Sequence, residues 1–218
     1  MVTRAYAEGG LSRRFRLKRF ERLCALIDTI IEERGACRIV DLGGSRHYWD
    51  IVSDYVAGRP LEITLVNPKE TQIPAGKFAY LAADAADAAA LDGLRFDLVH
   101  SNSTIEHVGE WARMSVFAAN VRRLAPRYYL QTPYFWFPYE PHFRAPMLHW
   151  LPEQLRYRLV MTFALGFAEE KDNVADAMIR VQSARLLDKG QLQALFPDAE
   201  VFEERFCGLT KSLIAVRH

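Results

Sequence analysis

The chain has 218 residues, of which 50% are hydrophobic and 25% charged, and its formal net charge is +1. This balance is typical of a globular protein and excludes disordered, collagen-like and low-complexity chains. The uncharged stretches are shorter than the roughly 17–25 residues that a membrane span needs. The near-neutral charge gives no reason to expect nucleic acid as a partner.

The N-terminal region is basic. In residues 1–22, Arg and Lys outnumber Asp and Glu. Residues 1–10 contain no apolar core segment, so we expect no signal peptide. Residues 12–34 carry apolar side chains at helical spacing up to Gly35, which predicts an amphipathic helix. Arg13 and Arg16 fall on the side of its apolar stripe. Two interpretations stay open. The guanidinium groups extend into solvent at the helix end, or they bind an anionic group of a substrate at the mouth of a cleft.

Apolar runs and helical segments alternate through the middle of the chain. The β-rich runs are at 38–42, 61–66, 78–81, 96–101 and 127–131. Helices are predicted between them at 46–57, 84–91 and 111–124. Strands separated by helices favour right-handed βαβ units and a mostly parallel sheet.

The pattern changes after the fifth run. Residues 133–184 contain several prolines among clustered aromatic side chains, with a helix predicted at 153–167. This composition favours either a shaped lid over a cleft or a plain packing layer. A helix at 188–196 is followed by two β-rich runs, 201–206 and 211–216, which we expect to form an antiparallel hairpin.

The turn after the first predicted strand fits a ligand site. Asp41 ends the strand, and Gly43 and Gly44 precede a helix, so the backbone can approach a ligand and the helix N-terminus offers free N–H groups. The same residues fit an ordinary strand-to-helix turn in which Asp41 caps the helix. The G-x-G-x-x-G fingerprint of dinucleotide-binding proteins is absent from this turn.

Polar residues also follow the next three predicted strands. Asn67 ends the second strand, Asp84 and Ala85 follow the third, and the stretch 101–107 follows the fourth. Because the carboxyl ends of parallel strands meet at one edge, we expect these residues to border one cleft. Asn67 also suits an ordinary turn, and Asp84 a helix cap.

Several motifs together resemble a known family. The stretches RIVDLGG, AADAAD and FDLVHSNSTIEHVGEW resemble the class I S-adenosylmethionine-dependent methyltransferases, and YYLQTPYFWFPYEPHF resembles a subgroup of small bacterial members. The resemblance covers about residues 36–145. It implies an α/β, Rossmann-like, seven-stranded and mostly parallel sheet with an antiparallel C-terminal hairpin and helices on both faces. We expect one domain over residues 1–218, with the segment 133–184 as a lid.

The resemblance implies S-adenosylmethionine as cofactor and assigns its binding residues. These are Asp41, Gly43 and Gly44 for the methionine part, Asn67 for the ribose, Asp84 and Ala85 for the adenine, and Ser101 beside the reactive methyl group. Asn67 stands where the family usually has an acidic residue. The third glycine of the usual loop is replaced by the bulkier stretch 45–49.

The predicted reaction is methyl transfer to a small polar acceptor, with O-methylation of a sugar, polyketide or phenol hydroxyl favoured. The alternatives are a nucleic-acid or protein methyltransferase and a non-catalytic cofactor-binding protein. Arg13, Arg16, Tyr134 and Trp136 are the expected substrate-binding residues. Three cysteines without a paired framework favour a reducing, cytoplasmic location, and the sequence leaves the oligomeric state open.

A hydroxyl acceptor calls for a base near the reactive methyl group. His142 in the lid ranks first and His107 second, because histidine titrates near neutral pH. Glu106 orients a histidine, or takes the proton itself if burial raises its pKa. Glu106 and His107 also resemble the pair of residues that holds a divalent cation in some sugar and phenol methyltransferases, but two ligands are a weak signal, and no metal is assigned.

Overall fold

The computed structural model describes residues 11–68, 76–163 and 173–218, with side chains from Arg14 onward. The described strands are β1 (Cys37–Leu42), β2 (Leu61–Val66), β3 (Phe78–Leu81), β4 (Leu98–Asn102), β5 (Arg127–Pro133), β6 (Tyr139–Glu140), β7 (Ala145–Pro146), β8 (Glu200–Phe206) and β9 (Leu209–Arg217). The described helices are α1 (Leu11–Arg34), α2 (Arg46–Trp49), α3 (Ser53–Ala57), α4 (Trp111–Leu124), α5 (Glu153–Thr162), α6 (Val174–Gln182) and α7 (Lys189–Leu195).

The main sheet has seven strands in the order β3-β2-β1-β4-β5-β9-β8. Neighbours among β1 to β5 are parallel, whereas β9 pairs antiparallel with both β5 and β8. The structure therefore confirms the predicted Rossmann-like sheet with its antiparallel C-terminal hairpin.

Helices cover both faces of this sheet. Successive strand residues point to opposite faces, so Ile39 and Val40 of β1 enter different clusters. Ile39 packs in a cluster that includes Ile27 of α1, and Val40 in one that includes Phe117 of α4 and Leu192 of α7. Burial of each such side chain stabilises the fold by about 1.5–3 kcal/mol.

The connections place a crevice at the end of two central strands. The chain builds β1, β2 and β3 outward in one direction and then returns to add β4 on the other side of β1. In open α/β sheets, ligands bind beyond the carboxyl ends of the strands at such a reversal. The loops after β1 and β4 therefore border the expected site.

The predicted helix over 84–91 is wrong, because these residues form successive turns. Asp84 Oδ1 accepts a hydrogen bond from Ala86 N at 2.8 Å, and Asp87 Oδ1 accepts one from Ala89 N at 2.9 Å. Such aspartate turns compete with the helix and overcome the propensity of the alanines. The helix predicted at 46–57 is also interrupted, by a 3₁₀ turn at Asp50–Val52.

The segment 133–184 has a small apolar core of its own. It contains the β6-β7 hairpin, α5 and α6, and its buried side chains include Phe143, Val160 and Val181. Helix α5 ends at Thr162, and the rest of the helix predicted to 167 falls partly in 164–172, outside the described residues. None of the described helices has the length and apolar character that crossing a membrane requires.

Candidate active site

The loop after β1 is shaped by the contacts beneath it. Gly43 has φ +77°, which residues with a Cβ rarely adopt, and its N–H donates to the Val66 carbonyl at 2.8 Å. Gly44 lies against the Asp41 carboxylate, which a Cβ at position 44 would overlap. The fold of this loop therefore requires glycine at both positions.

Asp41 lies below the loop, where it is 1% exposed. One of its carboxylate oxygens is 2.7 Å from His100 Nδ1, and the other accepts a hydrogen bond from Trp49 Nε1 at 2.8 Å. These contacts tie β1 to β4 and to α2. The structure thus gives Asp41 a role in holding the loop, and its contact with a cofactor stays a prediction.

A cavity of about 310 Å³, here called the inner cavity, lies at the ends of β1, β2 and β3. Gly43, Asn67, Asp84 and Ala85 are among its lining residues. Asp84 accepts a hydrogen bond from Arg113 Nη2 at 2.5 Å. Burial raises the pKa of Asp84, but hydrogen bonds from a backbone N–H and from Arg113 outweigh it and lower the pKa below its ordinary value. Asp84 is therefore a carboxylate anion at neutral pH, and an anion can accept hydrogen bonds from a ligand.

Ser101 and Ser103 have different positions after β4. Ser101 is fully buried, and its hydroxyl donates to the Leu42 carbonyl at 2.9 Å. Ser103 has φ +53° and borders the inner cavity as well as a second, larger cavity. The residue at the junction of the two cavities is thus Ser103, whereas Ser101 lies behind it.

The larger cavity has a volume of about 630 Å³ and is here called the outer cavity. It lies between α1, the chain around β6 and the β8-β9 hairpin, and its lining includes Phe15, Arg16, Arg19, Tyr134, His142, Arg144 and Lys211. Two predicted substrate residues, Arg16 and Tyr134, are therefore on its wall. Trp136 is not among the lining residues; it is 57% exposed and packs against Phe135. The side chain of Arg13 falls outside the described residues.

The wall of the outer cavity carries positive charge. Arg19 donates from Nε and Nη2 to the two carboxylate oxygens of Glu204 at 2.9 and 2.8 Å, and from Nη1 to Asn102 Oδ1 at 3.0 Å. Burial lowers the pKa of Lys211 and the nearby charges of Arg19 and Arg16 lower it further, although Glu204 partly opposes the shift. An anionic group on a ligand would relieve this repulsion.

The three predicted catalytic residues come together beside both cavities. Glu106 and His107 lie in the 3₁₀ turn after β4, and His142 lies just after β6. One potential ligand atom from each lies within 4.8 Å of the other two, and the imidazole rings are perpendicular, with centroids 4.7 Å apart. His107 borders the inner cavity and His142 the outer one.

Glu106 is fully buried in this cluster. Thr132 Oγ1 donates to Glu106 Oε2 at 3.0 Å, whereas Oε1 has no hydrogen-bond partner among the described residues. Burial raises the pKa of Glu106 above its ordinary value, although His107 and His142 partly oppose the shift. A carboxyl group in this setting either holds a proton or pairs with a cation.

The sequence interpretation missed several residues of the outer cavity and its junction. Arg19 lies three residues after Arg16, so helical spacing was a usable signal for it. Ser103 lies two residues beyond Ser101, in a left-handed conformation that the sequence does not predict. Lys211 comes from the far end of the chain, and no local pattern indicates its place in this wall.

No protein-family model and no curated protein matches this sequence. Many solved structures share its fold, and three of them follow. A protein from Bordetella parapertussis described as a possible exported protein is 15% identical, with a TM-score of 0.52, over 84% of this chain and 62% of that one. An O-methyltransferase family protein from Burkholderia thailandensis is 15% identical, with a TM-score of 0.50, over 94% and 59% of the two chains.

The third structure contains a reaction product. It is the 1,6-didemethyltoxoflavin-N1-methyltransferase from Burkholderia thailandensis with bound 1,6-didemethyltoxoflavin and S-adenosylhomocysteine, 13% identical, with a TM-score of 0.51, over 91% of this chain and 76% of that one. The present chain spans about three fifths of the length of the first two proteins. At these identities the comparison establishes the architecture, and the chain has the Rossmann-like fold found in these methyltransferases.

Proposed function

We propose that this chain is an S-adenosylmethionine-dependent methyltransferase that methylates a hydroxyl group of a small, anionic acceptor. The observation that carries the proposal is the junction at Ser103. The inner cavity, lined by four of the seven predicted cofactor residues, and the outer cavity, lined by aromatic and cationic side chains, share this residue. Transfer between two bound molecules requires two sites that meet in this way.

S-adenosylmethionine occupies the inner cavity in this proposal. Its adenine and ribose contact Asp84, Ala85 and Asn67, and its methionine part lies along the loop of Gly43 and Gly44. The fold supports this assignment, since the toxoflavin methyltransferase binds S-adenosylhomocysteine on the same architecture. Asp41 acts from below by keeping the loop in place.

The acceptor occupies the outer cavity. Its volume of about 630 Å³ is in the range typical of small-molecule sites. Arg16 and Lys211 supply charge for a carboxylate or phosphate on the acceptor, and Tyr134 supplies an aromatic surface. Nucleic acid would instead require an extended basic groove.

Proton removal takes place at the cluster of Glu106, His107 and His142. The methyl group moves in line from the sulfonium to the acceptor oxygen, so positioning provides most of the rate enhancement, up to about 7–11 kcal/mol. A base contributes a further factor of about 10²–10⁴. His142 is the first candidate, since it borders the acceptor cavity and has its Nδ1 held by Glu140 at 2.6 Å.

Isothermal titration with S-adenosylmethionine and S-adenosylhomocysteine tests the cofactor site, and failure of both to bind would overturn the proposal. Transfer of a labelled methyl group to a panel of hydroxylated aromatic acids and sugar phosphates tests the reaction. His142→Ala should retain cofactor affinity and lose turnover, while His149→Ala, a lid histidine outside the cluster, should retain both. If both His142→Ala and His107→Ala keep near-native turnover, neither histidine acts as a base, and catalysis consists of positioning the two substrates alone.

A reducing, cytoplasmic compartment is also proposed. Cys24, Cys37 and Cys207 are all free thiols, which suits such a compartment. Cell fractionation with a tagged full-length chain tests the location, and recovery outside the cytoplasm would contradict it.

A further inference from the structure

The cluster of Glu106, His107 and His142 has the composition of a metal site. It offers one carboxylate oxygen and two imidazole nitrogens, drawn from the turn after β4 and from the lid, and these atoms lie within 4.8 Å of one another. Atoms bound to one zinc ion at about 2.0–2.2 Å lie roughly 3–4 Å apart. Side-chain movements of about an ångström would therefore bring all three into coordination distance.

Glu106 provides an independent reason to expect a cation. Its side chain is fully buried and its Oε1 has no hydrogen-bond partner among the described residues. A buried carboxylate oxygen without a partner is costly, and proteins usually compensate it with a hydrogen bond, an ion pair or a metal. Here the groups that face Glu106 are two histidines, which are metal ligands in their neutral form.

The Nδ1 atom of each histidine already has a hydrogen-bond partner. His107 Nδ1 is 2.7 Å from the Ser183 carbonyl oxygen, and His142 Nδ1 is 2.6 Å from Glu140 Oε1. Carbonyl and carboxylate oxygens only accept hydrogen bonds, so each Nδ1 carries a proton, and in the neutral form of the imidazole each Nε2 keeps a lone pair. Metal-bound histidines are typically held in this way by an outer partner.

We propose that Glu106, His107 and His142 bind one divalent transition-metal cation, with Zn²⁺ as the best-matched ion. Two imidazoles and one carboxylate are the donor set of open, catalytic zinc sites, whereas Mg²⁺ and Ca²⁺ prefer oxygen ligands throughout. The remaining coordination positions are available to oxygen atoms of a bound molecule. Because His107 borders the inner cavity and His142 the outer one, the cation is at the junction of the two.

The catalytic consequence rests on the proposed function. An acceptor hydroxyl bound to the cation loses its proton to solvent water more readily, since the metal stabilises the oxyanion. The oxyanion then attacks the methyl carbon, so that a C–O bond forms as the C–S bond breaks and S-adenosylhomocysteine leaves with the electron pair. In this form His142 is a metal ligand and not the base, and its role as base applies only if the native chain holds no metal.

Metal binding is tested without reference to activity. The protein is stripped with a chelator, dialysed and titrated calorimetrically with Zn²⁺, and then with Co²⁺, whose visible absorption reports its ligands. We expect one tight site per chain. We also expect at least a tenfold weaker affinity in Glu106→Gln and in His142→Gln. The matched control, His149→Gln, replaces another lid histidine and should leave affinity and Co²⁺ spectrum unchanged.

Circular dichroism establishes that each variant is folded. No binding of Zn²⁺ or Co²⁺ to the wild type, or equal affinity in all three variants, would overturn the site. Methyl transfer that survives complete chelation would overturn its catalytic role. The two proposals can fail separately. If Glu106→Gln and His142→Gln lose metal binding but the wild type binds no S-adenosylmethionine, the metal site is supported and the proposed function is rejected.

Discussion

Glu204→Leu removes the carboxylate that neutralises Arg19 inside the fold. The side chains of the pair are 9% and 5% exposed, and two hydrogen bonds join them at 2.9 and 2.8 Å. Removal of one partner of such a buried pair costs about 3–5 kcal/mol, because the other charge stays buried without compensation. Arg19 would keep only neutral partners, Asn102 and Gln131. We therefore expect a loss of about 3–5 kcal/mol in the free energy of unfolding.

The assay is urea denaturation followed by circular dichroism at neutral pH, for four proteins of a double-mutant cycle. Arg19→Met should cost less than Glu204→Leu, because Ser212 and Lys211 still face the carboxylate. The double variant should be more stable than the sum of the single losses predicts, with a coupling energy of about 2 kcal/mol.

Glu203→Gln is the matched control for this cycle. Glu203 is the neighbour of Glu204 in β8 and also forms ion pairs, with Lys189 and Arg205, but its side chain is 25% exposed. Pairs in contact with solvent contribute about 0–1 kcal/mol. Two results would refute the reasoning. Glu204→Leu would lose no more free energy of unfolding than this control, or the losses of the two single variants in the cycle would be additive.

Three further predictions concern stability and the inner cavity. Burial raises the pKa of Glu204, but its hydrogen bonds with Arg19 lower the pKa overall. The stabilisation from Glu204 is therefore present above the unfolded pKa of about 4.3 and is lost as pH falls through the lower folded pKa. In urea unfolding from pH 7 to 3, the free energy of unfolding should fall less steeply in Glu204→Leu than in the wild type. Gly44→Ala should destabilise the fold by about 1–3 kcal/mol, because the added Cβ forces Asp41 aside. The control Gly190→Ala, in helix α7, should stabilise the fold by up to about 1 kcal/mol. Thermal unfolding in which the two variants change stability in the same direction would contradict this reasoning. Asp84→Ala should weaken binding of S-adenosylmethionine by about 0.5–1.5 kcal/mol in calorimetric titration, and unchanged affinity would reject the adenine contact.

The sequence determined the order along the chain of the seven strands of the main sheet, because the features that encode them are local. Alternation of apolar runs with helical periodicity predicted the parallel strands β1 to β5, and the spacing after Gly35 placed β1 within one residue of its observed start. Polar residues at the strand ends predicted a shared edge. Asn67, Asp84 and Ala85 do border one cavity there, since parallel strands bring their carboxyl ends together.

Competition between local interactions decided the segment 84–91. Alanine favours a helix when nothing opposes it. Asp84 and Asp87 each direct a carboxylate to a backbone N–H two residues on, and these hydrogen bonds replace the helical ones. The aspartates were visible in the sequence, but the choice between capping a helix and forming a turn depends on the strands that the segment connects.

The candidate catalytic site depended on tertiary structure. Glu106 and His107 are neighbours in sequence, but only the fold of the chain around β6 brings His142 to them. Only the packed structure shows that Glu106 Oε1 has no hydrogen-bond partner among the described residues. Likewise, Arg19 and Glu204 are far apart in the chain and meet because β8 lies at the edge of the sheet beside α1. Local periodicity carries no information about contacts across such distances, whereas burial, charge pairing and metal-ligand spacing are properties of the packed chain.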